Sequence, residues 1–294
     1  MKDFSDNTGD HKHPYFGQPI VLTSKHEKLS LIQPAFQEIA GLTVAEEALD
    51  TDLLGTFSGE VERTFPPLET AIRKAELGLI KTGANLGLAS EGSIGPDPLI
   101  PFAISNIEHM VLVDKIRGLI ISESFRSFEI VKVSEVVAPG QNLEKLMFSV
   151  GFPEQKLIAM PNQIDSLGRS NPIKAISNRK SLLDAIAECG MQSKDGKARI
   201  EPDYRAHNSP SRAKNIIKVA EMLATRISRL CPTCNCPGWG KVGYNYGLSC
   251  EACDTHDSTA VRQEVLGCSS CDQKLAGVVL ATNLRAENCQ QCNP

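Results

Sequence analysis

Apolar residues recur at helical spacing in three long segments of this 294-residue chain. The pattern predicts helices over 29–40, 66–82 and 210–230, and shorter helices over 143–150 and 181–189. Apolar runs without helical spacing predict strands between them. The predicted strands lie at 19–23, 42–49, 86–89, 109–113, 118–123, 128–137, 156–160 and 198–202. This alternation predicts an α/β domain with a mixed sheet and flanking helices.

The chain divides into four regions by composition. Residues 1–15 are polar, lack the apolar core of a signal peptide and predict a disordered tail. We expect the α/β domain over 16–204, a basic connecting helix over 205–230 and a zinc-binding module over 231–294. The connecting segment carries six Lys or Arg residues and one acid, Glu221. Whether this helix packs on the α/β domain or stands apart is open at this stage.

Overall charge and hydropathy exclude some classes of protein. The net charge is −4 and the pI about 5.9, so the whole chain does not favour nucleic acid or an anionic membrane as a partner. No segment approaches the ~20 uninterrupted apolar residues of a membrane span. Clustered cysteines without an export signal predict a reducing cytoplasm, where thiols bind metal rather than oxidise.

Eight of the ten cysteines form four Cys-x-x-Cys pairs near the end of the chain. Each pair suits a tight turn that points two sulfurs at one tetrahedral zinc, so four pairs predict two zinc sites. Pairing of neighbouring pairs, which gives two zinc ribbons, is favoured over an interleaved cross-brace, and disulfides are less favoured than either. The predicted zinc ligands are Cys231, Cys234, Cys250, Cys253, Cys268, Cys271, Cys289 and Cys292.

Four-sulfur coordination leaves no open position on the metal, so both zinc ions are predicted to be structural. Cys236 and His256 lie near the pairs, but eight sulfurs already complete two sites, and we expect neither as a ligand. Because the module is not strongly basic, a structural or protein-contact role is favoured over direct binding of nucleic acid.

Three polar segments follow predicted strands, at 23–28, 50–63 and 90–97, and are read as loops. Ligand sites of α/β sheets lie at such strand ends. Thr23 and Lys25 suit a phosphate site in the first loop, and carboxylates suit Mg²⁺. The candidate magnesium ligands are Asp50, Asp52, Glu60, Glu69 and Glu91. Each has a simpler interpretation; Glu69, for example, is placed to form a helix-face ion pair with Arg73.

Two resemblances extend this interpretation. The strings Asp50-Thr-Asp-x-x-Gly-Thr-Phe-x-Gly-Glu60 and Ala89-Ser-Glu-Gly-Ser-x-Gly-Pro96, with the terminal cysteine pairs, resemble a bacterial family of unknown function that carries a C-terminal zinc ribbon. That resemblance covers nearly the whole chain from Phe16 onward and implies relatives rather than an activity.

The second resemblance is weaker and concerns the N-terminal part. Thr23-Ser-Lys25, Glu69-Thr-Ala-x-x-Lys-Ala75 and Ala89-Ser-Glu91-Gly follow the order seen in nucleoside-triphosphate pyrophosphatases of the inosine/xanthosine-triphosphatase type. The resemblance implies a phosphate-binding role for Lys25 and Mg²⁺-binding roles for Glu69 and Glu91.

A further cluster precedes the last long helix. Arg205, His207 and Arg212 flank its N-terminus, which suits an anion such as a substrate phosphate, but a capping loop with solvated charges is the favoured interpretation. Ser209 or Asn208 would cap this helix.

These features predict a Mg²⁺-dependent hydrolase of a nucleotide or related phosphoanhydride, with Lys25, Glu69 and Glu91 as catalytic residues. The alternative is a non-catalytic adaptor whose zinc module and basic helix bind protein or nucleic acid. A nucleotide sensor without turnover lies between them.

Overall fold

The computed structural model describes residues 13–24, 28–49, 64–163 and 172–294. It has the predicted mixed α/β architecture, with two sheets in the α/β part and a third sheet in the cysteine-rich part. The helices of these ranges are α1 (Leu29–Ala40), α2 (Pro67–Thr82), α3 (Glu144–Val150), α4 (Arg179–Gln192) and α5 (Pro210–Ser228).

Five strands form the first sheet. They are β1 (Ile20–Thr23), β2 (Val44–Glu47), β3 (Leu86–Pro96), β4 (Ile104–Asp114) and β5 (Leu119–Ser127). Their order is β2-β1-β3-β4-β5; β1 is parallel to β2 and β3, and the later neighbours are antiparallel. The carboxyl ends of the parallel strands therefore share one edge of the sheet.

Both faces of the first sheet are covered. Helices α1 and α5 pack on one face, where Phe36, Leu88, Met110 and Leu223 are fully buried in one core. Helix α2 packs on the opposite face, with Ala75 in a second, smaller core. α1 ends at Gly41, whose left-handed backbone (φ 63°) suits glycine.

Helix α5 belongs to this core rather than linking two bodies. Ile216, Val219 and Ile227 on α5 are fully buried against the first sheet. The packing of this helix, which the sequence leaves open, is thus on the α/β domain. Tyr15, the last residue of the predicted tail, is fully buried in the same core, and residues 1–12 lie outside the described ranges.

Four short antiparallel strands form the second sheet, in the order β6-β9-β7-β8. They are β6 (Glu135–Val137), β7 (Leu157–Pro161), β8 (Ile173–Ile176) and β9 (Ala198–Pro202). α3 and α4 pack on this sheet around a core of their own. The whole unit lies in the chain between β5 and α5, so it is an insertion into the first sheet's fold.

The third sheet belongs to the cysteine-rich module. It has three antiparallel strands in the order β10-β11-β12, namely β10 (Gly240–Ser249), β11 (His256–Gly267) and β12 (Lys274–Val279). The predicted C-terminal module is thus a distinct small sheet flanked by cysteine turns.

One difference from the sequence prediction bears on the site. β3 continues through Ser90 to Pro96, where the polar sequence predicts a loop. Its residues pair in continuous register with β4, for example Glu91 with His109. The buried side chains of Ser90 and Glu91 have hydrogen-bond partners in Lys28, just before α1, and Lys74 of α2.

Candidate functional site

The eight paired cysteines form two groups of four. Within each group, all sulfurs lie within 4.8 Å of one another. Sulfur–sulfur distances of 3.5 Å (Cys234 to Cys268) and 3.8 Å (Cys231 to Cys271) match the edge of a tetrahedron with metal–sulfur bonds of about 2.3 Å, which is ~3.8 Å. They are far too long for disulfides. The donor set and its spacing therefore fit two tetrathiolate metal sites.

The pairing is interleaved, and the favoured sequential pairing is wrong. The first site holds Cys231, Cys234, Cys268 and Cys271, and the second holds Cys250, Cys253, Cys289 and Cys292. The register explains this: the β10–β11 hairpin places the first and third turns at one end of the sheet and the second turn at the other, since Gly240 pairs with Gly267 and Ser249 with His256. Cys236 and His256 belong to neither group, as expected.

The first metal site is joined to the α/β part. Arg226 of α5 donates to the carbonyl of Gly238 in the module (3.1 Å) and, through its second nitrogen, to the carbonyl of Ser122 in β5 (2.9 Å) and to Glu123. Ser269, between two ligands, donates to the same Gly238 carbonyl. The module is therefore docked against α5 and β5 at this site.

A second candidate site lies at the carboxyl edge of the first sheet. Ser90 and Glu91 are consecutive in β3, so their side chains point to opposite faces. Lys28, just before α1, donates to the Ser90 hydroxyl (2.9 Å), and Lys74 of α2 donates to Glu91 (2.6 Å). All four are buried or nearly so. Two lysines therefore flank one strand from both faces of the sheet.

Thr23 lies on the neighbouring strand, β1, where its hydroxyl is packed against Gly78 of α2. It is the last residue of β1 and is 2% exposed, and its hydroxyl has no hydrogen-bond partner among the described residues. A buried hydroxyl without a partner is costly unless a ligand or water meets it. The substrate contact predicted for Thr23 stays a prediction.

A buried ion pair adjoins Lys28 on the α5 side. Arg212 of α5 donates to Glu108 of β4 at 2.7 Å, and both side chains are at most 1% exposed. Asn106 also donates to Glu108 (2.9 Å) and accepts from Asn215 of α5 (2.6 Å). Arg212 is therefore held inside the protein, which explains why α5 packs so closely on β4.

The pKa of Lys28 is under opposing influences from burial and from the neighbouring charges. Burial lowers the pKa of Lys28 to about 8, and the charge of Arg212 adds to the lowering, whereas Glu108 and Glu91 oppose it. At neutral pH the amine is thus mostly protonated but close to its titration range.

The predicted magnesium ligands are separated in the structure as far as it describes them. Glu69 is about half exposed and forms an ion pair with Arg73 at 2.8 Å, as the simpler interpretation expects. Glu91 faces Lys74 inside the sheet. Lys25, Asp50, Asp52 and Glu60 lie outside the described residues, so their predicted roles stay predictions. Within the described ranges, only cysteines form a group of three or more metal-ligand side chains.

The three predicted anion-binding residues near the start of α5 differ in their exposure and in their hydrogen-bond partners. Arg205 is partly exposed and binds both oxygens of the buried Asp203. His207 is exposed, in the short 3-10 turn Ala206–Asn208. Arg212 is fully buried and bonded to Glu108, and its predicted contact with a substrate phosphate stays a prediction. Arg205 also lines a cavity.

That cavity, of about 250 Å³, lies between the end of β3 and the open face of the second sheet. Burial opposes ionisation of Asp203, but hydrogen bonds from Arg205 and from the amide of Ala175 lower the pKa of this carboxyl. Ala175 has a positive φ of 59°, a strained backbone for alanine, which turns its amide toward Asp203 (3.1 Å). The cavity is lined by Ile94, Ile158, Met160, Lys174, Glu201, Pro202, Asp203, Tyr204 and Arg205.

A larger groove of about 900 Å³ runs beside residues 128–133 and the start of α5. Every charged side chain in its lining is exposed to solvent, and it meets the buried network only at Asn215. The buried charged residues of that network thus lie at the sheet edge and not in this groove.

Sequence reasoning missed three residues of the site: Lys28, Lys74 and Glu108. Lys28 lies three positions after the predicted Lys25, and nothing in the local sequence separates them. Lys74 offers a weak signal, since it falls on the apolar face of α2 between Ala71 and Ala75.

Fold and sites together define a two-sheet α/β protein with a C-terminal module of two interleaved tetrathiolate sites. The chain belongs to the family described as "Domain of unknown function (DUF6671)", whose model matches residues 74–294. This agrees with the expected membership of a family of unknown function. No curated protein matches the sequence.

Among solved structures, the "Crystal structure of protein VC0702 from Vibrio cholerae" is similar over part of the chain. The match has 11% identity and a TM-score of 0.25, and covers 39% of this chain and 66% of that one, just under two thirds. Among the described residues, none of the helices has both the length and the apolar character to span a bilayer.

Proposed function

We propose that this protein is a Mg²⁺-assisted hydrolase of a nucleotide or related phosphoanhydride, acting in the reducing cytoplasm. The observation that carries the proposal is the buried charge cluster at the carboxyl edge of the first sheet. There, Lys28 is buried against Ser90 and Lys74 is buried against Glu91, and the Arg212–Glu108 ion pair adjoins them. Buried ammonium groups at the end of a strand suit an anionic ligand such as a phosphate.

The location supports the same conclusion. Open α/β sheets bind ligands beyond the carboxyl ends of their strands. The cluster lies at that edge, and the cavity beside Arg205 adjoins the far end of the same strand, β3, through Ile94. A substrate with its phosphates at the lysines would extend along β3 toward this cavity.

Each side chain has a chemical task in this proposal. Lys28 and Lys74 neutralise phosphate charge, the Thr23 hydroxyl donates to a phosphate oxygen, and Glu91 supplies a metal-binding carboxylate. Mg²⁺ is commonly held by one or two carboxylates plus substrate phosphate, so Glu91 with a second acid fits the ion; bound there, it would polarise the phosphate and activate water. Glu69 can be that acid only by releasing Arg73.

A panel of nucleoside triphosphates with Mg²⁺, assayed for phosphate and pyrophosphate release, tests the proposal. We expect turnover with at least one substrate, and a loss of about 100-fold or more in Glu91→Gln and Lys28→Met because both remove charge stabilisation. Glu221→Gln, which breaks an exposed ion pair with Lys218 on α5, serves as the control. No release from any substrate by the folded native chain would refute the proposal.

The same assay decides the role of Glu69. If Glu69 binds metal, Glu69→Gln loses turnover and Arg73→Gln does not. Equal, near-native turnover in both variants would leave Glu69 as a surface ion-pair partner only.

A second candidate is an adaptor role for the cysteine-rich module, favoured by its exposed apolar side chains. Tyr246, Val278, Val279 and Leu280 are each more than half exposed, and β12 is an edge strand. Such patches mark protein contacts. Cross-linking of the native chain and of Val279→Asp in the same cells tests this role, which predicts partners that the variant loses.

Nucleic acid is the less favoured partner of that module. Residues 231–294 carry four Lys or Arg against six Asp or Glu, and metal-bound thiolates would add negative charge. On α5, Arg212 is buried and Arg226 forms an ion pair with Glu123. Two of the basic residues of this segment are therefore not free to bind a nucleic-acid phosphate. Tight oligonucleotide binding at physiological salt would contradict this choice.

A further inference from the structure

Lys28 and the Glu108–Arg212 ion pair occupy adjacent places on one face of β3. Ser90, which accepts from Lys28, and Gly92 are two residues apart and therefore share that face. The Glu108 carboxylate lies directly over Gly92, where a side-chain carbon added at Gly92 would overlap it. The two carboxylate oxygens of Glu108 face Arg212 on α5. A cation and an anion thus approach Lys28 from α5 and β4.

We propose that Glu108 and Arg212 are positioning residues that set the charge of Lys28 in opposite directions, Glu108 holding its ammonium form and Arg212 favouring the neutral amine. The pair is bonded to itself, so it is not available to a substrate and acts through Lys28. Its consequence for phosphate binding rests on the proposed function, because only the ammonium form neutralises a phosphate.

The charged surroundings of Lys28 support two opposing influences. Glu91 on β3, Glu108 on β4, Arg212 on α5 and Lys74 on α2 all act on it, and its backbone amide donates to Glu46 on β2 at 3.2 Å. The lowered pKa of Lys28, about 8, comes first from burial and next from Arg212, with Glu108 the largest opposing charge. Removing either member of the pair therefore has a predictable sign.

The test is a direct titration of Lys28 in the full chain, followed by NMR of carbon-labelled lysine side chains and assigned by the signal that Lys28→Met loses. We expect Glu108→Gln to lower the Lys28 pKa and Arg212→Gln to raise it, each by about one unit. A purely structural pair would loosen the fold in both variants and shift the pKa in one common direction. Shifts of the same sign, or none in either variant, would overturn the proposal.

Removing one member of a buried ion pair often unfolds a protein, so a double variant that keeps the fold provides a second test. Glu108→Leu with Arg212→Met removes both charges, and such apolar replacements are commonly tolerated. Because the two opposing charges are removed together, the double variant should titrate within about half a unit of the native pKa. A double variant that shifts by as much as a full unit would contradict the proposal.

The positioning role of Glu108 and Arg212 and the proposed hydrolase activity can be refuted independently of each other. The titration needs no substrate, so it stands even if the nucleotide panel shows no turnover. If turnover is found, the alkaline limb of the pH profile should move down in Glu108→Gln and up in Arg212→Gln, while Glu221→Gln leaves it in place.

Discussion

Gly92 shows how a single residue makes room for the buried ion pair. A side-chain carbon there would overlap the Glu108 carboxylate, which Arg212 and Asn106 hold in position and which cannot swing away. We expect Gly92→Ala to lower the free energy of unfolding by about 1–3 kcal/mol, the usual cost of overpacking. Denaturant titration measures it.

Gly95, three residues further along β3, is the matched control. An added carbon at Gly95 meets nothing within 4 Å, so Gly95→Ala should leave stability unchanged or raise it slightly through lower unfolded-state entropy. Equal effects of the two substitutions would mean that the Glu108 carboxylate is not packed over Gly92.

At the same scale, single residues explain what sequence reasoning could and could not find at the site. Glu91 and Thr23 were identified because each lies at the end of an apolar run that predicts a strand. Lys28 could not be separated from Lys25, since burial by α1 and β3 distinguishes them only in three dimensions. Glu108 lies within β4, where the sequence offers no sign that α5 supplies an arginine.

At the scale of elements, α5 is a core helix despite its basic composition. Leu223 is fully buried, whereas Ile217, on the same helix, is 37% exposed. We expect Leu223→Ala to cost about 2–5 kcal/mol in unfolding free energy, because it leaves a cavity under the first sheet. Ile217→Ala should cost much less.

Thermal and denaturant unfolding of both variants measures the difference. A connector that stands apart from the sheet would give similar small effects at both positions, so that outcome would contradict the packing of α5 described above.

The elements also show why the sequence predicted helices better than strands. The cores of α1, α2 and α5 were identified within a few residues because their apolar faces repeat at helical spacing. β3 was cut short at Ala89 because Ser90, Glu91 and Gly92 are residues typical of loops. β8 was missed because its four residues include Lys174 and carry no clear alternation.

At the scale of the whole molecule, the interleaved cysteines make a test by metal counting. The native chain should bind about two zinc ions. A double variant of Cys231 and Cys268, which share a site, should lose one ion, and a double variant of Cys231 and Cys250, which do not, should lose both. Mass spectrometry under native conditions or metal analysis gives the count.

Sequential pairing predicts the reverse result for the two double variants. The sequence could not decide between the pairings, since the pairs are separated by 15 and 17 residues, and both spacings allow either topology. Only the length and register of β10 and β11 place the first and third turns together.

The insertion of the second sheet between β5 and α5 has a consequence for synthesis. As the chain leaves the ribosome, β1 to β5 emerge long before α5, which must cover them. Their apolar face therefore stays partly uncovered while about 80 further residues are made. The inserted unit, with a core of its own, is complete in the meantime and can fold at once. Nascent chains halted before residue 210 should therefore need chaperone protection on the first sheet but not on the second.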